Sequence, residues 1–140
     1  MFGEAIDYAP VTIRRRKFFA FQPRTTVMTP RGHLHFHPRS PDYCDDLAAA
    51  SLGVRGLFIH EMTHVWQAQR RGEWFLVLHR HPLSRYDYAL RPGWRLERYG
   101  LEQQAEIVRH AWLLRTGHAV RGVADSAAYD ELVRFSGATL

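Results

Sequence analysis

The sequence is poor in cysteine: Cys44 is the only one among 140 residues. A single thiol cannot form an intramolecular disulfide, so a fold stapled by disulfides is excluded and a packed core must hold the chain together. A chain of this length can bury such a core as one domain. With 46% hydrophobic and 13% aromatic residues, the composition is typical of a globular protein and not of a disordered one. We therefore predict a single domain spanning residues 1–140.

Long apolar runs are also missing. No stretch approaches the roughly 20 apolar residues that a membrane-spanning helix needs, so we predict no membrane span. The N-terminal segment has acidic residues early and its basic cluster after the apolar stretch, which is the reverse of a secretory signal. We expect a cytoplasmic protein, or one exported by a secretion system that uses no cleaved signal peptide.

Lysine is scarce: Lys17 is the only one, and arginine supplies nearly all of the cations behind the net charge of +5. The arginines are spread along the whole chain, and the one local cluster is residues 14–17, beside three phenylalanines. We interpret that cluster as a solvated strand or turn in preference to a phosphate-binding site. Nucleic-acid binding is therefore the class of function that we rank last.

The sequence does contain the pattern H-E-x-x-H, at residues 60–64. Apolar residues flank it at helical spacing and Gly72 stands where a helix would end, so we predict a helix that begins near Val54. Residues four apart share a helix face, so His60 and His64 can bind one metal ion, with Glu61 beside it. A catalytic zinc ion takes three protein ligands and a water, and a neighbouring carboxylate can act as general base. The alternative is a buried helix whose histidines only satisfy polar neighbours.

A third ligand must come from elsewhere in the chain, and Glu102 is the best candidate. It opens a second predicted helix, Leu101 to Arg115, in which Glu106 lies one turn further along the same face. The small Ala105 between them would let this helix pack closely against the first. Glu106 can then accept a hydrogen bond from the far nitrogen of a ligand histidine. The alternative is that both carboxylates are solvated on the helix surface.

Three further histidines alternate with apolar residues in the string H-L-H-F-H, residues 33–37. The alternation predicts a strand with Leu34 and Phe36 facing the core and His33, His35 and His37 on the opposite face. Three such positions spread over about 13 Å, too far apart for all of them to bind one ion. We therefore favour an exposed strand over a metal site here.

Together the two helical motifs resemble those of the zincin metallopeptidases, specifically the gluzincins, in which H-E-x-x-H precedes a helix of the form E-x-x-A-D or E-x-x-A-E. The residues that match are His60, Glu61 and His64 in the first motif and Glu102, Ala105 and Glu106 in the second. The longer strings FIHEMTHVWQ and YGLEQQAEI are similar to short metallopeptidase domains of bacterial toxin and secretion systems. The resemblance implies that Glu102 is the third zinc ligand and Glu106 the partner of a ligand histidine.

The chain also departs from related patterns. It lacks the third histidine of the metzincins, and it is shorter than most gluzincins. Peptide deformylases combine H-E-x-x-H with an upstream cysteine, which makes Cys44 a rival third ligand. The residues next to Cys44, however, are Tyr43 and Asp45, and the Gly-Cys-Leu context of those enzymes is missing.

The resemblance implies an α+β fold: a minimal zincin-like domain, in which a small twisted sheet from the N-terminal third packs on the active-site helix and the third-ligand helix. The residue pattern predicts extended segments between residues 11 and 38, a short strand at 73–78, a turn-rich stretch at 79–100 and a short helix at 126–135 capped by Ser126. In zincins an edge strand before the first helix pairs with the substrate, and Gly32 to His37 has that place in the order.

The implied function is zinc-dependent hydrolysis of a peptide bond in a peptide or protein substrate. Zn²⁺ would activate a water and Glu61 would act as general base. Four side chains are candidates for meeting the developing oxyanion: Tyr88, Tyr99, His110 and His79. The alternative is a non-catalytic zinc-binding structural or interaction domain of a bacterial secretion or toxin system, in which zinc clamps two helices.

Overall fold

The described residues, 1–79, 85–123 and 126–135 of a computed structural model, combine helices with a very small sheet. The helices are α1 (Leu52–Arg71), α2 (Phe75–His79), α3 (Leu101–Arg115) and α4 (Ala127–Leu132). The strands β1 (Ile13–Arg14) and β2 (Leu34–His35) pair in parallel, with Ile13 opposite Leu34. Short 3₁₀ turns lie at Gly3–Ala5 and Leu96–Arg98. The predicted α+β class is confirmed.

Helix α1 is the longest described element and begins two residues before the predicted Val54. Ser51 caps it, because its hydroxyl accepts a hydrogen bond from the Val54 N–H at 3.4 Å. Arg70 and Arg71 occupy the last turn, where positive charge interacts favourably with the helix dipole. Gly72 then takes a φ of 96°, which an L side chain rarely adopts, and the helix ends. Local capping residues therefore set both ends of the helix that carries H-E-x-x-H.

Helix α3 has the predicted bounds and packs along α1. At its start the Gln103 side chain accepts a hydrogen bond from the Gly100 N–H at 3.0 Å. Ala105, Val108 and Ala111 on α3 are fully buried. Small side chains such as those of Ala105 and Ala111 permit close helix packing, and α3 is in contact with α1. This pair of helices forms the frame on which the candidate site stands.

The N-terminal third is mostly irregular, although the residue pattern predicts a series of strands there. Besides β1 and β2, the described residues contain one isolated bridge, between Met28 and His35. The predicted extended segment at residues 17–21 forms turns instead, with the Gln22 N–H donating to the Phe19 carbonyl at 3.2 Å. Prolines at 10, 23, 30 and 38 have no N–H to donate and interrupt any longer ladder.

Strand β2 is not a free edge, which corrects the predicted substrate-pairing role of Gly32 to His37. On one side the Leu34 and Phe36 N–H groups donate to the Thr12 and Arg14 carbonyls at 2.9 and 2.8 Å. On the other side the His35 N–H donates to the Met28 carbonyl at 2.8 Å. Both edges of β2 are therefore already paired.

The prediction that the histidine face of β2 is exposed is wrong at His35, whereas His33 and His37 are half-buried. His35 is only 5% exposed, and its neighbours Leu34 and Phe36 are also buried. The chain that follows β1 folds back over this face and packs the Phe18 ring edge-on against the His35 ring, with the ring centroids 5.4 Å apart. The alternation of residues in β2 cannot predict that a distant segment folds back over one of its faces.

Two segments after α1 also differ from prediction. Residues 73–78, predicted as a strand, lie mostly in the short helix α2, because a five-residue apolar run fits either structure and periodicity cannot separate them. Helix α4 falls within the predicted 126–135. Ser126 contributes its backbone carbonyl, which accepts from the Asp130 N–H at 3.1 Å, and not its hydroxyl. The turn-rich stretch is irregular in its described part apart from Leu96–Arg98, and residues 80–84 lie outside the described ones.

The hydrophobic core joins the N-terminal segment to the helix pair. Phe2 and Phe36 belong to the same buried cluster as Val65 of α1 and Ile107 of α3. Within the described ranges, no helix combines the length and the apolar character that crossing a bilayer requires. The face of α1 that carries Val65 therefore packs in the core, while His60 and His64 of α1 face α3.

Candidate metal centre

Helices α1 and α3 bring three potential metal ligands together. His60 and His64 lie one turn apart on α1, and Glu102 lies in the first turn of α3. The Glu102 Oε2 atom is 3.2 Å from His60 Nε2 and 3.3 Å from His64 Nε2, and the two Nε2 atoms are 3.3 Å apart. All three side chains are buried. Among the described residues this is the group whose ligand atoms could hold a metal ion.

The size of this triangle fits a small tetrahedral cation. Ligand atoms about 2.0–2.1 Å from a tetrahedral zinc ion lie about 3.3 Å from one another. The three observed separations, 3.2, 3.3 and 3.3 Å, agree with that spacing. Two imidazole nitrogens and one carboxylate oxygen are also a donor set that zinc accepts.

Gln67 sets the tautomer of His64. Its Nε2 donates to the Leu101 carbonyl and to Gln104 Oε1, both at 3.0 Å. Because a backbone carbonyl can only accept, the amide must turn its nitrogen towards Leu101 and its oxygen towards His64. His64 Nδ1, 2.8 Å from Gln67 Oε1, must then carry a proton. The lone pair of a neutral His64 is therefore on Nε2, which faces the other two candidate ligands.

Glu106 does the same for His60. Its Oε1 atom lies 2.9 Å from His60 Nδ1 and 3.3 Å from an Arg109 nitrogen. Burial alone would raise the pKa of Glu106, but the hydrogen bond from His60 and the charges of His60, Arg109 and His110 lower it. An ionised Glu106 accepts the Nδ1 proton and leaves His60 Nε2 directed at Glu102.

The centre favours positive charge. Burial lowers the pKa of His60, but hydrogen bonds to Glu102 and Glu106 and the charges of Glu61 and Glu106 outweigh it and raise that pKa to about 9. Three electron-rich atoms facing one another within 3.3 Å repel unless a proton or a cation lies between them. The donor set and its buried surroundings therefore fit a metal ion.

Glu61 is buried beside this group, and one of its oxygen atoms is held by a single described hydroxyl. Thr29 Oγ1 donates to Glu61 Oε2 at 2.7 Å, and Thr29 is itself fully buried. A buried carboxylate without such a donor would carry a substantial desolvation cost. The structure thus ties Glu61 to the chain just before β2.

Of the four candidate oxyanion donors, His110 contacts Glu106 and Tyr88 contacts His110. His110 Nε2 lies 3.5 Å from Glu106 Oε2, and the Tyr88 hydroxyl hydrogen bonds to His110 Nδ1. Burial, together with a hydrogen bond to Tyr129, raises the pKa of Tyr88. The Tyr99 ring packs edge-on against Tyr88 with centroids 6.5 Å apart, and its hydroxyl accepts from the Arg91 N–H at 2.8 Å. The His79 ring stacks on Phe75 with centroids 4.3 Å apart.

The other predicted metal candidates stay outside the centre. Cys44 is half-buried, and its thiol lies 3.5 Å from the Asp46 carbonyl. His33 Nδ1 contacts the Thr12 hydroxyl at 3.1 Å, and His37 Nδ1 accepts from the Arg39 N–H at 2.9 Å. Within the part of the chain that the structure describes, none of them joins His60, His64 and Glu102.

The sequence reasoning missed three residues that touch this site. Gln67 follows His64 by three positions on the same helix face, so helical spacing could have identified it. Thr29 precedes Glu61 by 32 residues, and nothing local connects the two. Tyr86 stacks over His60 with ring centroids 6.0 Å apart, and it lies within the turn-rich stretch at 79–100, whose sequence has no periodicity.

Fold and site define a small α+β domain with a buried centre of two histidines and one carboxylate. The chain belongs to the family of the effector domain of Pseudomonas aeruginosa VgrG2b. It matches the structure of that domain with a TM-score of 0.71 and 34% identity, over 93% of this chain and 72% of that one. It is also 39% identical over 120 residues to the type VI secretion system spike protein VgrG2b of P. aeruginosa PAO1. That match covers 81% of this chain and 12% of the spike protein. No protein-family model matches the chain.

These comparisons correct the family assignment. The relatives are a secretion spike protein and its effector domain, neither of which is described as a gluzincin, so the assignment to that family is wrong. Residues 60–64 do read H-E-M-T-H, but two short helical motifs cover a minor part of the chain and do not establish a family. The resemblance to domains of bacterial secretion systems does agree with the name of the spike protein relative.

Proposed function

We propose that this chain is an effector domain exported by a type VI secretion system, and that His60, His64 and Glu102 bind zinc in it. Family membership supports the first part, because the spike protein relative is named for that system. The chain spans about 12% of that relative, so the export route is carried over as a proposal. We favour export over residence in the cytoplasm on this ground.

The observation that carries the zinc assignment is the triangle of donor atoms, 3.2–3.3 Å on each side. Both histidines present Nε2 to it because their Nδ1 atoms are engaged by Gln67 and Glu106. Such outer partners orient metal ligands and make the imidazoles better donors.

We further propose that the domain hydrolyses peptide bonds. A structural zinc site is normally closed by four protein ligands, whereas the described residues supply three here. A bound zinc ion lowers the pKa of a water ligand and polarises a carbonyl group. The Glu61 carboxylate would accept a proton from the attacking water and deliver it to the leaving amine nitrogen. Thr29 keeps that carboxylate in one orientation.

The second candidate is a metal-binding interaction domain without catalysis. Its support is that the three donors come from both helices of the frame, so a cation would clamp α1 to α3. The names of the relatives also state secretion and an effector domain and no reaction. Both candidates predict bound metal, and only the first predicts turnover that depends on Glu61.

Metal analysis together with a peptide-library digest separates them. We expect about one zinc ion per purified chain, and cleavage by the wild type that falls at least about 10²-fold in Glu61→Gln while zinc is retained. Glu4→Gln, an exposed carboxylate with the same substitution, should match the wild type. Zinc without Glu61-dependent cleavage would support the interaction domain, and a protein that binds no zinc would refute both.

A further inference from the structure

The positive charge of the chain is concentrated in its N-terminal third. Residues 8–41 contain seven of the 19 Lys and Arg residues and none of the 14 acidic ones. The rest of the chain carries more acidic than basic residues. The net charge of +5 therefore comes entirely from this segment, even though arginines occur throughout the chain.

Three phenylalanines are exposed within this segment. In the basic–aromatic loop, defined as residues 14–24 with the sequence RRRKFFAFQPR, Phe18 is 39%, Phe19 42% and Phe21 89% exposed. Arg14, Arg16 and Arg24 are exposed as well. Exposed apolar side chains grouped in this way are uncommon on a monomer surface and usually mark a contact site.

The loop is held in shape by one buried residue, Gln22. Its side-chain amide donates to the Thr26 and His35 carbonyls, both at 2.8 Å, and its Oε1 accepts from the Phe18 N–H at 2.8 Å. Lys17 Nζ donates to the Ala20 carbonyl at 2.7 Å across the loop. The phenylalanines are therefore exposed on an ordered turn. Because the turn is already ordered, binding a partner there loses little further conformational entropy.

The charge beside these rings is not neutralised by the contacts described. Arg14 Nε donates to the Thr12 hydroxyl and Arg15 Nε to the Pro38 carbonyl, both uncharged groups. The field reaches His37, whose pKa is lowered by desolvation and by Lys17, Arg24 and Arg39. The described ion pairs of arginine all lie outside this loop, so among the described residues the loop presents apolar rings beside cations that no carboxylate pairs with.

We propose that the basic–aromatic loop binds the surface of an anionic phospholipid bilayer. Phe19 and Phe21 enter the headgroup region, while Arg14, Arg16 and Arg24 contact lipid phosphates. Basic residues beside aromatic and aliphatic ones are the combination that binds such surfaces, by burial of apolar area and by attraction to anionic lipid. Long basic side chains can follow the apolar tip inwards and keep their charge among the headgroups.

The tip fits lipid better than nucleic acid. From Phe18 to Phe21 every side chain is apolar, so none can form a hydrogen bond with a base. Proteins that bind single strands stack bases on aromatic rings along a groove. Here Phe21 projects at 89% exposure, and the Phe18 ring is already packed edge-on against His35. The loop also lies outside the metal centre, so this proposal does not depend on the reaction proposed above.

Vesicle co-sedimentation of the full chain tests the proposal. We expect at least about 10-fold tighter binding to vesicles of phosphatidylglycerol and phosphatidylcholine than to phosphatidylcholine alone, weakening as NaCl is raised. The double variants Phe19→Ser with Phe21→Ser and Arg16→Gln with Arg24→Gln should each lose about 10-fold or more. Leu78→Ser and Arg121→Gln, an exposed leucine and an exposed arginine elsewhere, should bind as the wild type does.

Circular dichroism and thermal unfolding establish that the variants are folded, since all of these positions are exposed. Equal binding to the two kinds of vesicle, or equal losses in the loop and control variants, would overturn the proposal. So would binding to a single-stranded oligonucleotide that the loop variants abolish while vesicle binding is absent, because the partner would then be nucleic acid.

Discussion

Gln67 is the side chain on which the direction of His64 depends. Its amide spans the gap between the helices and donates to the Leu101 carbonyl and to Gln104. Gln104 in turn donates to the Tyr99 carbonyl at 2.7 Å, which fixes its own amide in one orientation. The proton on His64 Nδ1 is thus set by a run of buried amides that ends on backbone carbonyls. Such partners of ligand histidines typically change metal affinity by about 10–100-fold when they are removed.

Gln67→Leu should therefore weaken zinc binding by about 10–100-fold, because His64 loses the acceptor that holds its Nδ1 proton. Competition with a chromogenic chelator measures this directly. The matched control is Gln69→Leu on the same helix, since Gln69 Nε2 donates to the Asp7 carbonyl at 2.7 Å and its described hydrogen bonds involve no histidine. An unchanged zinc affinity in Gln67→Leu would remove Gln67 from the centre.

The α1–α3 pair determines the distance between the ligands. Ala105 lies on α3 between Glu102 and Glu106, and its methyl group is fully buried. Gly56 on α1 has a comparable role, because a Cβ atom there would lie 3.1 Å from Arg109 Nε. The two imidazoles can reach a carboxylate on the other helix only while the residues at positions 105 and 56 stay small. The distance between α1 and α3 therefore sets the distances between the three ligands.

Ala105→Leu should push the helices apart and destabilise the fold by about 1–3 kcal/mol, as overpacking of cores does. For a domain of this size we expect a fall in Tm of several degrees, on the order of 3–10 °C. Zinc affinity should fall with it, because Glu102 is carried away from His60 and His64. Differential scanning calorimetry and chelator competition measure the two effects, and an unaltered Tm would show that the interface has room for a larger side chain.

Across the whole domain, metal binding and folding should be coupled. The three donors come from two helices separated by 29 residues of chain between Arg71 and Leu101. A ligand that binds only the folded state stabilises it by about 4 kcal/mol at 1,000 times its Kd. The apolar core and the cap of α1 do not use the three donors, so we expect a folded but less stable metal-free protein.

Chelation should therefore lower the Tm, and added zinc should restore it. His64→Ala should abolish this response, since its imidazole is one of the three donors. His37→Ala, in which the lost histidine contacts the Arg39 N–H outside the centre, should respond as the wild type does. Thermal unfolding followed by circular dichroism checks all three, and a zinc response that survives in His64→Ala would place the ion elsewhere.

Periodicity in the amino-acid order was sufficient to predict α1 and α3. Apolar spacing, the stops at Gly72 and Gly117 and the i, i+4 positions of His60 and His64 are properties of one helix at a time. The carboxylate pair Glu102 and Glu106 was also predicted from a single helix. The structure brings these residues together, while their roles in binding and catalysis stay predictions.

The rest depended on how distant segments pack. The double pairing of β2, the hydrogen bond from Thr29 to Glu61 and the stacking of Tyr86 on His60 each join parts of the chain far apart in sequence. The exposed phenylalanines of the basic–aromatic loop likewise depend on where Gln22 anchors it. Helical contacts repeat every three or four residues and can be read locally. Contacts between distant segments cannot be read locally, because many pairings of segments satisfy the same local pattern. Packing around the shared core determines which of these pairings forms.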